Sequence, residues 1–196
     1  MTELGVLGSP RRVTVDGRGA VALPGGVRCA WLVGADDRWH DPAVEAAVRQ
    51  HRLAPAPALE TAVRVPSGDA RARVYAVGGP GDLVVLEVEN DSPVPFVLGL
   101  VLTGRRARYD VVADGIVRAD ARPLIVAPRP PARWATDVAV ATAGGAADGP
   151  LSGVEASDLV LLWPVSHRTM LRVAFALGAE VPDDVRLARL PSADDV

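Results

Sequence analysis

The chain has 196 residues and a formal net charge of −3, and 49% of its residues are hydrophobic. This composition excludes wholesale disorder, and the absence of a strong basic field argues against nucleic acid and anionic membranes as partners. The single cysteine, Cys29, excludes an intrachain disulfide and a multi-cysteine metal site. We therefore expect a cytoplasmic globular protein.

Short segments with alternating apolar and polar residues, separated by turn residues, dominate the first half of the chain. Two predicted hairpins come first, with turns at 16–19 and 66–69. The next two strands, 83–89 and 95–102, are more continuously apolar, which predicts that this pair lies centrally and is covered on both faces. Asp114-Gly115 then indicates a tight type I′ turn between two further strands.

The second half of the chain predicts four more strands and few other elements. These strands are expected at 124–127, 133–141, 159–165 and 169–177.

One short helix is expected in the first half of the chain, after Asp41-Pro42, an N-cap followed by proline, and before His51. The pattern predicts an all-β, antiparallel β-sandwich domain over residues 1–180, followed by a linker-like or disordered tail over 181–196.

Catalytic and metal-binding constellations are not evident in the sequence. The three histidines are dispersed, whereas zinc needs about four convergent ligands. Ser166 and His167 are adjacent on a strand and point to opposite faces, so they cannot form a nucleophile–base pair directly. Glu87 and Glu89 are interpreted as solvated or ion-paired edge residues. We predict no catalytic residue, no metal site and no cofactor in this chain.

The segment from residue 31 to residue 40 carries the strongest binding signal. Aromatic planes stack on sugar rings, and carboxylates with arginine hydrogen-bond to hydroxyl groups, so the segment suits a carbohydrate or a partner protein. The alternative is that the tryptophans plug the end of the sandwich while the aspartates make turn hydrogen bonds. The candidate binding residues are Trp31, Asp36, Asp37, Arg38, Trp39 and His40.

Four sequence segments, at 31–43, 60–77, 83–102 and 162–177, resemble the N-terminal β-sandwich region of actinobacterial glucoamylase-type and glycogen-debranching-type proteins. A strand–turn–strand pattern carried by Glu87, Asn90, Ser92, Pro95 and Phe96 is similar to those of supersandwich folds. In that family of six-hairpin glycosidases the catalytic carboxylates lie on an (α/α)-barrel that follows the sandwich. The resemblance implies that this chain is a non-catalytic accessory module for a helical, glycosidase-like partner.

Two other classes of function stay open on the sequence. The chain could be a stand-alone carbohydrate-active enzyme of mutarotase or epimerase type, with His40 or His167 as acid and a glutamate as base. It could also be a protein-interaction domain that associates through sheet edges or an apolar patch.

Overall fold

Antiparallel strands form nearly all of the regular structure in the computed structural model, which describes residues 1–79, 81–177 and 187–196. The strands are β1 (Thr2–Gly5), β2 (Arg12–Val15), β3 (Val21–Ala22), β4 (Arg28–Gly34), β5 (Trp39–His40), β6 (Arg49–Leu53), β7 (Ala58–Val65), β8 (Gly68–Val77), β9 (Leu83–Asn90), β10 (Phe96–Thr103), β11 (Ala107–Val111), β12 (Ile116–Ala119), β13 (Arg122–Val126), β14 (Arg133–Ala135), β15 (Ala147–Asp148), β16 (Val154–Ala156), β17 (Leu159–Val165) and β18 (Met170–Ala176). The α-helix is α1 (Val138–Thr142), and short 3₁₀ turns occur at Pro24–Gly26 and Leu187–Arg189.

The strands form two nine-stranded sheets. Sheet A has the order β1-β2-β3-β4-β10-β17-β14-β15, with β5 paired to β4. Sheet B has the order β16-β11-β12-β13-β18-β9-β8-β7-β6. The predicted all-β sandwich with one short helix is confirmed. No helix within the described ranges is long and apolar enough to cross a membrane.

The main core lies between the sheets, and it is formed by every second residue along the longer strands. On β7, Val63 and Val65 point inward with Leu59, while Arg64 points to solvent, as the alternation predicts. The largest fully buried inner side chains are aromatic and include Trp31, Trp163 and Phe175.

Both sheets also have apolar groups on their outer faces, so neither outer face is exposed to solvent over its whole area. The segment 187–196 packs on the outer face of sheet B, where Ala193 is fully buried beside Tyr75 and Val85. The outer face of sheet A carries a smaller cluster around Leu32 and Leu162, against which α1 and Trp39 pack. Residues 181–186 of the predicted tail lie outside the described residues.

The predicted position of the helix was wrong. Residues 41–48 form turns, in which Val44 and Glu45 donate backbone hydrogen bonds to the Asp41 carbonyl, and the chain then enters β6. The helix α1 instead lies in the second half of the predicted strand 133–141. Asp137 caps it by accepting a hydrogen bond from the Val140 N–H. This cap stabilises the helix despite the β propensity of Val138 and Val140.

Two predictions about strand connections also need correction. Strands β9 and β10 are central, as predicted, but they lie in different sheets, so the turn at 90–95 crosses the sandwich and does not close a hairpin. The β11–β12 turn is not type I′, because Gly115 has a positive φ of 88° and Asp114 does not. The turn is a longer loop, closed by a hydrogen bond from the Val112 N–H to the Ile116 carbonyl.

Candidate functional site

Trp31 and Trp39, the two tryptophans of the candidate binding segment, lie on opposite faces of sheet A. Trp31 is only 1% exposed and packs in the core between the sheets. Trp39 is half-buried on the outer face, where its ring covers Gly34 and Gly99. A Cβ atom at position 34 would lie only 3.0 Å from the Trp39 ring. The two indoles therefore do not form one stacking platform, and Trp39 is the one that a ligand or partner can reach.

The polar residues of the same segment are engaged with one another around His40. The His40 ring is buried, with Nε2 3.0 Å from an oxygen of Asp37 and Nδ1 3.1 Å from an oxygen of Glu45. The Arg38 guanidinium donates a 2.5 Å hydrogen bond to the same Glu45 oxygen. The structure thus brings together three of the six predicted residues, with Glu45 added by the turn that replaces the predicted helix.

Hydrogen bonds within this network favour the ionised forms of its two carboxyl groups. The hydrogen bond from His40 lowers the pKa of Asp37, and the hydrogen bond from Arg38 lowers the pKa of Glu45. Asp36 is exposed and lies beside Pro66 and Phe96 in a small surface recess. The alternative interpretation predicts local hydrogen bonds for Asp36 and Asp37; Asp37 makes one with His40, whereas the Asp36 side chain makes none among the described residues.

A second polar cluster, which sequence reasoning did not recognise, crosses the outer face of sheet B. The strand registers place five charged or titratable side chains directly opposite one another on five successive strands, and we call them the sheet B row. In order across the sheet, its members are His51, Glu60, Arg73, Glu87 and Arg172. Basic and acidic residues alternate along the row, which is the favourable arrangement for cross-strand neighbours.

Short contacts join neighbouring members of the sheet B row in two separate pairs. The Arg73 Nε donates to Glu60 at 2.8 Å, and the Arg172 Nη2 lies 2.5 Å from Glu87. Tyr75 lies one pleat away from Arg73 and approaches the same Glu87 oxygen at 2.6 Å through its hydroxyl. Glu87 is 1% exposed, and its second oxygen is buried without a hydrogen-bond partner among the described residues.

The segment 187–196 covers this end of the row. Arg172 donates to the carbonyls of Leu187 and Leu190, and the Tyr75 hydroxyl lies 2.9 Å from the Pro191 carbonyl. Burial, followed by the contact with Glu87, raises the pKa of Tyr75 well above its usual range. Tyr75 is therefore a hydrogen-bond donor and not a base at any physiological pH.

The interpretation of Glu87 as an edge residue was wrong, although its ion pairing is confirmed. Strand β9 lies between β8 and β18, near the middle of sheet B. Arg71 and Arg73 lie on one face of β8, and Glu87 and Glu89 lie on one face of β9. This spacing in the sequence indicated two strand faces of opposite charge. The sequence does not show which strands pair, because the β9–β18 pairing joins residues more than eighty positions apart.

Other candidate reactive groups are buried or isolated. Burial raises the pKa of the Cys29 thiol to about 12, so this residue is a small core side chain and a poor nucleophile. His167 is exposed in the turn between β17 and β18. Over residues 1–79, 81–177 and 187–196, no three His, Cys, Asp or Glu side chains converge to hold a metal ion.

Comparison of the sequence with protein-family models and with curated proteins gives no match. The family resemblance drawn from the sequence therefore stays a prediction.

Proposed function

We propose that this chain is a non-catalytic β-sandwich accessory module that associates with a helical, glycosidase-like partner. The observation that carries the non-catalytic part of the proposal is the pairing of the two buried acid–base groups, His40 and Glu87. His40 has a carboxylate at each ring nitrogen, and Glu87 is held by Arg172 and Tyr75 beneath the segment 187–196. A general acid or base needs hydrogen-bond reach to a substrate proton, and neither group offers it.

The surface that best fits a partner is the outer face of sheet A around Trp39, which we call the Trp39 surface. It comprises Trp39, Val97 and Val138, together with Val140 on the helix α1 that packs against the same cluster. Trp39, Val97 and Val138 are half-buried there, and Val140 is 47% exposed on α1. Tryptophan is enriched among the residues that dominate binding at protein interfaces, which supports this surface as the docking face.

The same surface supports the proposed contribution to a carbohydrate cleft. The accessible part of the Trp39 ring offers an apolar plane at the surface, while the Arg38 guanidinium is bound to Glu45 and to the Trp39 backbone carbonyl. An exposed indole plane suits the apolar face of a sugar ring. A partner that docks here would place its own cleft next to this ring.

The proposal is tested by affinity capture of the tagged chain from its own cell extract, followed by mass spectrometry. We expect a helical, glucoamylase-like polypeptide in fixed ratio, and we expect Val140→Arg and Trp39→Ala to abolish its recovery. Leu7→Ala is the matched control, because Leu7 is a fully exposed apolar residue outside the Trp39 surface. Circular dichroism establishes that each variant is folded. A folded Val140→Arg variant that retains the partner would exclude this surface, and the absence of any such polypeptide would contradict the proposal.

The enzymatic alternative is tested on the isolated chain. We expect no acceleration of sugar mutarotation by polarimetry and no hydrolysis of aryl glycosides above the buffer rate. A rate above buffer that disappears in a folded Glu87→Gln or His40→Gln variant would overturn the non-catalytic assignment.

A further inference from the structure

A cleft of about 410 Å³ opens between the two sheets at one end of the sandwich, far from the Trp39 surface. Val27, just before β4, lines the cleft, whereas Trp39 packs at the Gly34 end of that strand. Seven residues of strand separate the two places by roughly 20 Å. The cleft volume lies within the range of small-molecule binding sites.

The local backbone explains why the sheets part here. Strand β3 has only two residues and is followed by the 3₁₀ turn Pro24–Gly26, so at this end sheet A has no strand after Ala22 to cover the cleft. On the opposite side, the β12–β13 pairing shifts register between Val117 and Arg118. A register shift of this kind bends a strand and turns its side chains, which is a common feature of binding sites.

The walls of the cleft are apolar and its rim is cationic. Leu23, Leu124 and the buried Tyr109 ring form the walls, and three arginines, Arg11, Arg105 and Arg122, stand at the rim. No acidic residue lines the cleft among the described residues, although the whole chain has more acids than bases. Burial raises the pKa of Tyr109, so its hydroxyl stays protonated as a donor.

The three arginines differ in how they are paired. Arg105 makes a 2.6 Å ion pair with Asp120. Within the described part of the chain, neither Arg11 nor Arg122 makes an ion pair. Guanidinium groups bind carboxylates and phosphates through paired N–H donors. Two guanidinium groups over an apolar floor therefore match a ligand with an anionic head and an apolar body.

We propose that this cleft binds a small organic anion, with its carboxylate or phosphate at Arg11 and Arg122 and its apolar body against Leu23, Leu124 and Tyr109. This site is separate from the Trp39 surface and does not depend on the proposed accessory function. Its failure would leave partner capture unaffected, and loss of the partner in Trp39 variants would leave this binding intact.

The test is a titration of the full chain, labelled with ¹⁵N, by two-dimensional NMR. The probes are phenyl phosphate, benzoate and the neutral benzyl alcohol. We expect saturable shifts of the amides of Gly25, Tyr109 and Leu124 with an anionic probe and weaker shifts with benzyl alcohol. A stronger response to phenyl phosphate identifies a phosphate ligand, and a stronger response to benzoate identifies a carboxylate.

Charge variants decide whether the rim binds the anion. We expect Arg11→Ala and Arg122→Ala each to weaken binding of the anionic probe about fivefold, as for loss of one charge-assisted contact, while binding of benzyl alcohol is unchanged. Arg64→Ala is the control, since it removes the same charge from an exposed residue outside the cleft. Equal responses to all three probes, shifts outside the cleft, or unchanged affinity in both rim variants would overturn the proposal.

Discussion

The Arg172 guanidinium lies 2.5 Å from the Glu87 carboxylate on the outer face of sheet B, with Glu87 only 1% exposed. The two residues face each other across adjacent strands, and the Tyr75 hydroxyl approaches the same carboxylate oxygen. Together with Tyr75, the pair thus joins three strands beneath the segment 187–196. Removing one member leaves the other charge buried and uncompensated.

Replacing one partner of this pair is expected to be strongly destabilising. Arg172→Ala should lower the free energy of unfolding by about 3 kcal/mol, since it leaves a buried carboxylate without its cation. The double variant Glu87→Leu/Arg172→Met should recover part of that loss, because it removes the uncompensated charge while the Leu187 and Leu190 carbonyls still lose their donor. Urea denaturation measures both. Arg64→Ala, which removes an exposed guanidinium 3.6 Å from Asp69 and leaves the Arg49–Asp69 pair in place, should change stability by less than about 1 kcal/mol. Equal effects of Arg172→Ala and Arg64→Ala would contradict the assignment.

Placing a charge at Ala193 should release the segment 187–196 from sheet B. Ala193 is fully buried, so Ala193→Arg cannot keep the present packing. Hydrogen–deuterium exchange should show faster exchange across 187–196, with the protection of β8 and β9 retained. Ala188→Arg introduces the same side chain at an exposed position and should leave exchange unchanged. Unaltered protection in Ala193→Arg would mean that the segment does not pack as described.

Asn90 holds the crossing between the sheets through its side-chain amide. Its Oδ1 accepts from the Ser92 N–H and hydroxyl, and its Nδ2 donates to the carbonyls of Val94 and Ser166. Asn90→Asp replaces the donor with an acceptor that faces carbonyl oxygens, and should cost about 2 kcal/mol or more of folding free energy. Asp91→Asn is the matched control at a half-exposed neighbour paired with Arg71, and should cost less than about 1 kcal/mol. Thermal and urea unfolding compare the two, and a silent Asn90→Asp would refute the role of the amide.

Asp16 should contribute to acid sensitivity. Burial opposes its ionisation, but hydrogen bonds from Arg28 and from the backbone of Arg18 and Ala20 outweigh burial and lower its pKa. A carboxyl whose pKa is lower in the folded state adds stability above its unfolded pKa of about 4, and this stability is lost as the pH falls through the folded value. Asp16→Asn should therefore flatten the decline in stability between pH 5 and pH 3. Urea titrations across this range test the sign, and an unchanged slope would contradict it.

Cys29 should be unreactive in the folded chain. Its pKa of about 12 and its burial keep it a protonated thiol at pH 8. A disulfide reagent such as DTNB should release no chromophore from the native protein and one equivalent per chain in guanidinium chloride. Rapid native reaction would show that β4 opens far more readily than its central packing indicates.

Local patterns in the sequence were sufficient for most of the strands. The alternation of Val63 and Val65 with Arg64 predicts the inward face of β7, and the continuous apolar runs of β9 and β10 predict central strands. Both hold, because side-chain period and burial are properties of a few neighbouring residues. The solvent-exposed opposite face that the same alternation predicts for β7 is limited to Arg64, since Glu60 and Ala62 are buried. The helix was misplaced because a single cap, at Asp137, decides between helix and strand for five residues that suit either.

The candidate sites depended on the pairing of distant strands, which tertiary structure alone decided. The sequence by itself determined an antiparallel sandwich rich in apolar strands, with Trp31, Trp39 and His40 close along the chain. Only the fold put the two indoles on opposite faces of sheet A and brought Glu87 to Arg172. The physical reason is that a strand exposes the same alternating pattern whichever neighbour it pairs with, while its partner is selected by burial summed over the whole sandwich.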